Sequence, residues 1–295
     1  MIYCYDIDGT ICESTDGYEQ TRPLRKAIER VNQRYLDGNY IILNTARGSV
    51  TGEDHRRLTE RQLAEWGVRY HELHMEKPYA DIYIDDRAEK PVKTMAIIQA
   101  RMDATRLPGK VLLDICGKPM LAHVVDSVSE VLDVVIATTE NSPEIIDYCK
   151  AHELLYYVGS EYDVLDRYYE TAIQYRTDVI VRVTGDNPLI EPDMLRKLVR
   201  FYEDGDYDWA ANCRLKTTFQ IGNDAEIMSF KALETAWLNA IEPYDREHVT
   251  SFIYNHPDIF KLGVLENDTN QSHLRWTVDT EEDLNRIRTY KESGR

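Results

Sequence analysis

The chain has 295 residues, of which 43% are hydrophobic and 29% charged, and its formal net charge is −17 at pH 7. This length accommodates one large or two ordinary domains, and the composition is that of a folded globular protein. The strong negative charge disfavours a nucleic-acid partner, because phosphate backbones are bound through basic surfaces. No apolar run in the sequence approaches the roughly 20 residues that a membrane helix needs.

Cysteine usage and the N-terminal residues indicate the compartment. Five cysteines, at positions 4, 12, 116, 149 and 213, form no Cys-x-x-Cys pair and leave one unpaired in any set of disulfides. Residues 1–7 are a short strand pattern without the basic start and apolar centre of a signal peptide. We therefore expect a cytoplasmic protein in a reducing environment.

The first 92 residues contain four short polar motifs, each near the end of an apolar segment that predicts a strand. The side chains they supply are, in chain order, Asp6 and Asp8, Thr45, Lys77, and Asp85 with Asp86. Helix patterns run from Leu24 to Tyr35 and roughly from Glu53 to Trp66. An isolated Asp-x-Asp at a turn would be a weak signal, but four ordered motifs at strand ends predict a ligand site.

These motifs resemble those of the haloacid dehalogenase-like phosphatases, which begin with Asp-x-Asp-Gly-Thr. The resemblance implies a small Rossmann-like domain without a cap, in which Asp6 attacks phosphorus and Asp8 protonates the leaving oxygen and then activates water. Thr45 and Lys77 would hold the phosphoryl oxygens. Mg²⁺ would be held by Asp6, the backbone of Asp8, and Asp85 or Asp86. For Arg47 the sequence leaves two roles open, binding a substrate anion or pairing with Asp86 or a neighbouring carboxylate.

From residue 94 onward, strand and helix patterns alternate, which predicts a mostly parallel sheet covered on both faces. The predicted strands are 94–99, 134–138, 154–158, 179–184, 208–211 and 259–265, and the predicted helices include 120–131, 143–151, 164–175 and 191–203. A polar stretch at 87–94 separates this pattern from the first one. The expected fold class is therefore α/β, with two domains at 1–92 and 93–295.

The loop after the strand pattern at 94–99 is the most informative segment of the sequence. It carries three cations, Arg101, Arg106 and Lys110, in a chain that is strongly acidic overall. Such a loop at the carboxyl end of a strand is where an α/β sheet binds an anionic ligand. Pro108 and Gly109 tighten the turn, so that backbone N–H groups can approach a phosphate. The alternative is a solvated basic loop.

Two later segments end in carboxylates. Asp186 follows the strand pattern at 179–184, and Asp279 ends a predicted late strand at 275–280. Each has a purely structural alternative. The sequence Gly-Asp-Asn-Pro around Asp186 is turn-prone, and Asp279 or Thr280 suits the N-cap of the acidic helix start that follows.

The cationic loop resembles the signature Arg-x-x-x-x-Arg-x-Pro-x-Lys of the cytidylyltransferases that activate acidic sugars, and most of residues 94–291 is similar to their spore-coat polysaccharide branch. The resemblance implies a glycosyltransferase-A-like domain with CTP as co-substrate and Mg²⁺ held by Asp186 and Asp279. The implied catalytic cations are Arg101, Arg106 and Lys110. The implied nucleotide-binding residues are those three together with Asp163 and Arg167, in a segment that opens a helix.

Further segments match the same branch or depart from it. Residues 224–230 and 245–250 are similar to it and predict either a sugar-side pocket or a subunit contact, with a structural role favoured for His248. Asp103, next to Ala104, stands where a small neutral residue is expected, so it either binds metal or faces solvent.

These expectations combine into a bifunctional enzyme of surface-polysaccharide or activated-sugar biosynthesis. Its N-terminal domain would hydrolyse a phosphomonoester, and its C-terminal domain would transfer a cytidylyl group from CTP to an acidic sugar and release pyrophosphate. The expected partners are a nucleoside triphosphate, a sugar or phosphorylated acceptor, and a second copy in a homodimer. In the alternative, the acceptor is a phosphate or phosphonate, the product is CDP-linked, and the phosphatase-like domain is a non-catalytic binding or assembly module.

Overall fold

The computed structural model describes residues 1–14, 17–80 and 92–293. The chain divides into two compact units, Met1–Pro91 and Val92–Arg295. Asp85 and Asp86, predicted to contribute to the N-terminal metal site, lie outside the described residues. In the described ranges, no helix is both long enough and apolar enough to cross a membrane.

The N-terminal unit is built on three parallel strands. Its elements are β1 (Ile2–Asp6), α1 (Arg25–Leu36), β2 (Tyr40–Asn44), α2 (Arg56–Trp66) and β3 (Glu72–His74). The strands lie in the order β1-β2-β3. Ile41 and Leu43 of β2 pack with Ile28 and Val31 of α1 and Leu63 of α2, because helix residues three and four apart share a face. The core thus fixes the carboxyl ends of β1 and β2 beside each other.

The C-terminal unit alternates strands and helices. Its strands are β4 (Thr94–Gln99), β5 (Asp114–Ile115), β6 (Lys118–Pro119), β7 (Asp133–Thr139), β8 (Leu155–Gly159), β9 (Val179–Thr184), β10 (Trp209–Ala211), β11 (Glu226–Ser229) and β12 (Leu262–Val264). Its helices are α3 (Met120–Ser129), α4 (Pro143–Ala151), α5 (Val164–Gln174), α6 (Pro192–Gly205), α7 (Phe230–Asn239), α8 (Pro243–His248), α9 (Ser251–Tyr254) and α10 (Glu281–Glu292).

The main sheet of this unit has seven strands in the order β12-β10-β11-β9-β4-β7-β8. It is parallel except at β11, which runs antiparallel to both β9 and β10. Alternate residues of β4 face opposite sides: Ala96 and Ile98 pack with residues of α3 and α6, and Met95 and Ile97 pack with residues of α5 and α7. The prediction of a mostly parallel sheet covered on both faces is therefore confirmed.

Two predictions about elements were wrong or incomplete. The late strand at 275–280 is an irregular segment that has one bridge, between Arg275 and Ile221. The N–H groups of Trp276 and Val278 donate to the carbonyls of Ile221 and Asp186, at 2.6 and 3.0 Å, instead of a strand ladder. The strands β5, β6 and β11 were not predicted, because β5 and β6 have two residues each and β11 has four, of which the first is the charged Glu226. The other predicted strands and helices of this unit agree within a few residues at their ends.

A close backbone contact joins the irregular segment to the loop before β11. Gly222 has a φ of +101°, and a Cβ built on it would lie 2.4 Å from the backbone nitrogen of Thr277. Gly117 also has a positive φ, +87°, but a Cβ there would have nothing within 4 Å. Two separate constraints therefore require glycine at position 222, the positive φ and the close approach of the Thr277 backbone.

The two glycines form a matched pair for measurement. We expect Gly117→Ala to lower the free energy of unfolding by about 1 kcal/mol, from left-handed strain alone. Gly222→Ala should lower it by about 2–4 kcal/mol, because the methyl group also displaces the backbone of Thr277. Urea unfolding measures both. Equal losses would contradict a tight contact between Gly222 and Thr277.

Candidate functional site

The strands β4 and β9 bring the cationic loop and Asp186 to one edge of the sheet. They are adjacent and parallel, with Gln99 paired to Thr184, so the residues that follow each strand emerge side by side. The loop turns at Gly109, which has a φ of +69° and donates its N–H to the carbonyl of Met102 at 2.8 Å. The one-turn helix that begins at Lys110 then directs this lysine back to the strand ends.

Lys110 joins the two predicted metal-binding carboxylates. Its Nζ donates to Asp186 Oδ2 at 2.8 Å, to Asp279 Oδ1 at 3.1 Å and to the carbonyl of Val278 at 2.8 Å. An ammonium has three N–H donors, so all of them are used. The side chains of Lys110, Asp186 and Asp279 are 12%, 24% and 15% exposed. Residues that are far apart in sequence therefore meet in a single ion cluster.

Two arginines complete the surroundings of Asp279. Arg106 Nη2 lies 3.0 Å from Asp279 Oδ1, and Arg275 Nη2 donates to Oδ2 at 2.6 Å. Arg275 was not among the predicted site residues. The sequence signal for this pair was the spacing of four residues between Arg275 and Asp279. The predicted strand concealed it, because residues four apart in a strand are not close neighbours. The Arg106 side chain is 64% exposed, so its ion pair contributes little stability and its guanidinium is available to a ligand.

A cavity of about 410 Å³ opens beside this cluster. It is lined by Arg101, Arg106, Lys110, Asp186, Asp279 and Arg167. It is also lined by Arg182, Cys213, Arg214, Asp224 and Glu226, which lie on or near β11 and which we call the β11 wall. Glu247 and His248 also line it, and the His248 ring lies against Tyr244 with centroids 4.1 Å apart.

The cationic loop contributes Ala104 to the cavity lining, whereas its neighbour Asp103 is exposed. Of the two roles left open for Asp103, facing solvent is the one observed.

The two predicted nucleotide residues of α5 differ in their surroundings. Asp163 accepts from the Asp166 N–H at 2.9 Å, which caps α5, and it pairs with Arg246 at 2.5 Å. Arg167 is 1% exposed and donates from Nη1 to the carbonyl of Ser160 at 2.9 Å. Its Nε has no partner in the described part of the chain. Burial, and to a lesser extent the charge of Arg101, lowers the pKa of Arg167. Asp163 is thus committed to structure, and Arg167 retains a free donor.

The β11 wall is built around a buried carboxylate. Glu226 is 1% exposed and accepts from Arg182 Nη1 at 2.5 Å, from Arg214 Nε at 3.1 Å and from the Thr250 hydroxyl at 2.5 Å. Burial alone would raise the pKa of Glu226, but the two guanidinium groups lower it below its ordinary value. The wall therefore contains two guanidinium groups and two carboxylates, the fully buried Glu226 and the partly buried Asp224. The sequence signal for this buried ion pair was Arg182, a charged residue inside the apolar pattern of β9. A buried charge needs a partner of opposite sign.

In the N-terminal unit the first three motifs come together. Lys77 Nζ lies 2.8 Å from Asp6 Oδ2, and the Thr45 hydroxyl lies 3.3 Å from Asp8 Oδ2. Arg47, which is 2% exposed, donates to Asp8 from Nη2 at 2.7 Å and from Nε at 2.9 Å. Of the two roles left open for Arg47, pairing with a neighbouring carboxylate is therefore the one observed.

Each unit has a pair of aspartates that could hold a divalent cation. Asp186 and Asp279 both direct oxygens at the position of one ammonium nitrogen, and paired carboxylate oxygens are the donors that Mg²⁺ prefers; this pair fits the ion. In residues 1–14, 17–80 and 92–293 there is no group of three or more His, Cys, Asp or Glu placed to hold a metal. The N-terminal set is therefore limited to Asp6 and Asp8 among the described residues.

Comparison with known proteins matches the C-terminal unit to one family. The sequence profile described as Cytidylyltransferase matches residues 95–292. The spore coat polysaccharide biosynthesis protein SpsF of Bacillus subtilis is 32% identical over 212 residues, 67% of this chain and 86% of that protein. A 3-deoxy-manno-octulosonate cytidylyltransferase of Brucella ovis is 40% identical over 127 residues, 40% of this chain and 50% of that protein. The structure of a cytidylyltransferase from Leptospira borgpetersenii superposes with a TM-score of 0.65 at 32% identity, covering 68% and 87% of the two chains.

The backbone of Asp279 is held by the start of α10. Asp283 Oδ2 accepts from the N–H groups of Asp279 and Thr280, both at 3.0 Å, and Oδ1 accepts from Arg286 at 2.6 Å. Thr280 is the N-cap and completes a capping box with Asp283. Burial alone would raise the pKa of Asp283, but these hydrogen bonds lower it to about 2. Asp283 thus positions the segment that carries Asp279.

The lowered pKa predicts how stability depends on pH. The folded pKa of Asp283 lies below its ordinary value of about 3.9, so the ionised carboxylate stabilises the fold above pH ~4 and loses this effect as pH falls through about 2. Asp283→Asn should lower the free energy of unfolding by about 2 kcal/mol at pH 7, and by progressively less below pH 4. Urea unfolding at several pH values, with the exposed Asp268→Asn as the control, measures the difference. An equal loss at every pH would contradict a role for the charge.

Proposed function

The chain belongs to the cytidylyltransferase family, and on that basis we propose that its C-terminal unit transfers the cytidylyl group of CTP to an acidic sugar and releases pyrophosphate. The convergence of Lys110, Asp186 and Asp279 at the carboxyl edge of the sheet is the observation that carries the proposal. An exposed basic loop would not have joined two carboxylates from separate segments around one cation.

The cationic side of the cavity binds the triphosphate. Arg101, Arg106, Lys110 and Arg167 are placed around one cavity, and Arg167 retains an unpaired donor. When CTP binds, Lys110 and Arg106 exchange carboxylate oxygens for phosphate oxygens. Asp186 and Asp279 would hold Mg²⁺, and the ion would supply positive charge to the triphosphate. The acceptor oxygen then attacks the α-phosphorus and pyrophosphate leaves, so catalysis consists mainly of alignment and charge neutralisation.

The acceptor lies against the β11 wall. Of its two guanidinium groups, that of Arg214 is partly exposed, with 38% of its side chain accessible, so it is available to an anionic group on the acceptor. The names of two relatives agree with such an acceptor. One is a 3-deoxy-manno-octulosonate cytidylyltransferase, half of which this chain spans, and the other is a spore coat polysaccharide biosynthesis protein. On these grounds we propose that the reaction belongs to the synthesis of activated acidic sugars for a polysaccharide.

For the N-terminal unit we propose a phosphatase of the haloacid dehalogenase type. Asp6 lies beside Lys77 and Asp8 beside Thr45, the pairs that a nucleophile, a proton-transfer group and two phosphoryl-binding groups require. Asp6 attacks phosphorus, the alkoxide leaves with a proton from Asp8, and water activated by Asp8 releases phosphate. Asp6 and Asp8, with Asp85 or Asp86, would hold Mg²⁺. Removal of a phosphate followed by attachment of CMP would make the two reactions consecutive steps.

One contact favours a second candidate for this unit, a binding or assembly module without turnover. Both Asp8 oxygens accept from the buried Arg47 guanidinium, at 2.7 and 2.9 Å. Arg47 is fixed in turn by Gln62 at 2.7 Å. Proton transfer by Asp8 requires release of at least one of its oxygens from Arg47, whereas a binding module can leave this ion pair in place.

The cytidylyltransferase proposal predicts the effect of removing one carboxylate. Purified protein with CTP and Mg²⁺ should release pyrophosphate with at least one acid from a panel of ulosonic acids, 3-deoxy-manno-octulosonate included. Asp186→Asn should lower this rate by about 10²–10³-fold, because charge neutralisation at the triphosphate is lost. Asp193→Asn, at a side chain that is 87% exposed, is the control. Equal rates in Asp186→Asn and the wild type would contradict the proposal.

The phosphatase proposal predicts that the two activities are separable. Asp6→Asn should abolish phosphate release from phosphorylated sugars, because the nucleophile is lost, and should leave pyrophosphate release from CTP unchanged. A malachite green assay measures the first and a coupled pyrophosphate assay the second. Undiminished phosphate release from Asp6→Asn, or no release from the wild type, would favour the non-catalytic module instead.

A further inference from the structure

Asp224 is a cavity carboxylate with one oxygen that is not committed to the described part of the protein. It lines the cavity as part of the β11 wall. Its Oδ2 accepts from the Gly222 N–H at 3.2 Å, and its Oδ1 has no partner in the described part of the chain. An acceptor that is buried and unpaired costs about 1–3 kcal/mol. This cost indicates a role that needs the free oxygen.

The backbone on both sides of Asp224 is fixed without use of its side chain. Asn212 accepts from the Ala225 N–H at 2.9 Å and donates to the carbonyl of Asn223 at 2.6 Å. The Asn223 side chain accepts from the Glu191 N–H at 2.9 Å and donates to the Glu191 carboxylate at 3.0 Å. Rigid support of this kind is what a reacting group requires, because small displacements cost much of the rate.

The same loop bonds to the segment before Asp279, and that segment bonds in turn to the backbone of Asp186. Ile221 N–H donates to the carbonyl of Leu274 at 2.9 Å, and Trp276 N–H donates back to Ile221 at 2.6 Å. Two residues later, Val278 N–H donates to the carbonyl of Asp186 at 3.0 Å. Asp224, Asp186 and Asp279 therefore belong to three segments that are held together by backbone hydrogen bonds, and all three side chains line the cavity.

The other carboxylates of the cavity are less suited to accept a proton. Lys110 pairs with Asp186 and Asp279, and two arginines pair with Glu226. Glu247 is exposed to solvent. Among the described carboxylates of the cavity, Asp224 combines partial burial with the absence of an ion pair.

We propose that Asp224 is the general base of the cytidylyl transfer, a role that rests on the proposed function of this unit. The acceptor hydroxyl donates a hydrogen bond to the Asp224 carboxylate. As the acceptor oxygen forms its bond to the α-phosphorus, its proton passes to Asp224, and the bond from the α-phosphorus to the bridging oxygen breaks with its electron pair leaving on pyrophosphate. The carboxylic acid so formed returns its proton to solvent.

The electrostatic surroundings support this role. Burial raises the pKa of Asp224 above its ordinary value, and the negative charges of Glu226 and Asp186 add to the increase. The hydrogen bond from Gly222 and the positive charge of Arg214 oppose it. A carboxylate with a raised pKa is a stronger base than a free one, which is the direction that general base catalysis at neutral pH needs.

Asp224→Asn tests the proposal, because the amide keeps the shape and the hydrogen bond from Gly222 but cannot take up the proton. With CTP, Mg²⁺ and the best acid of the ulosonic panel, we expect kcat to fall by about 10²–10⁴-fold, while the Kd for CTP measured by calorimetry stays unchanged. Asp224→Ala should lose the same activity and regain part of it in formate but not in chloride. Asp193→Asn remains the control for an exposed aspartate.

Three other results would overturn the role of Asp224 as general base, and they can be told apart. An Asp224→Asn variant with wild-type kcat, or one whose only change is a higher KM for the acid, shows that Asp224 does not take the proton. An Asp224→Ala variant that formate does not rescue shows the same. A wild-type protein that releases no pyrophosphate from CTP with any acid overturns the proposed function, and this inference with it.

Discussion

The ion cluster of Lys110, Asp186 and Asp279 is the interaction on which the C-terminal site depends. Two carboxylates that face one point repel each other by about 4 kcal/mol at 4 Å and an effective dielectric constant of 20, so they meet only around a cation. Lys110 supplies that cation with all three of its donors. The adjacency of β4 and β9, the close contact at Gly222 and the capping box of α10 each bring one member of the cluster into place.

The described carboxylates of the two candidate sites differ in whether a cation pairs with them. Asp6 and Asp8 have Lys77 and Arg47, Asp186 and Asp279 have Lys110, and Glu226 has Arg182 and Arg214. A paired carboxylate is suited to hold a cation or to shape a pocket, because its charge is already compensated. Asp224 lines the same C-terminal cavity as Asp186, Asp279 and Glu226, and it has no ion pair among the described residues. A carboxylate without such a pair is better suited to accept a proton.

The sequence was informative where function depends on short segments. The apolar runs of β4 and β9 and the loop of Arg101–Lys110 lie in continuous stretches, and their positions at a sheet edge follow from the alternation of strands and helices. The order of β11 in the sheet and the sharing of Glu226 between Arg182 and Arg214 depend on residues that are tens of positions apart. Such pairings leave no periodic signal. The segment before α10 was mistaken for a strand because Trp276 and Val278 alternate with polar residues, although their N–H groups bond to two separate loops.

The most direct measurement of the central claim is the mass of the product. Purified protein is incubated with CTP, Mg²⁺ and the ulosonic acid panel, and the nucleotide products are analysed by high-resolution mass spectrometry. Cytidylyl transfer to an acidic sugar predicts a CMP-linked product with one phosphorus, formed in equal amount with pyrophosphate. A CDP-linked product with two phosphorus atoms, or CTP recovered unchanged from every reaction, would contradict it.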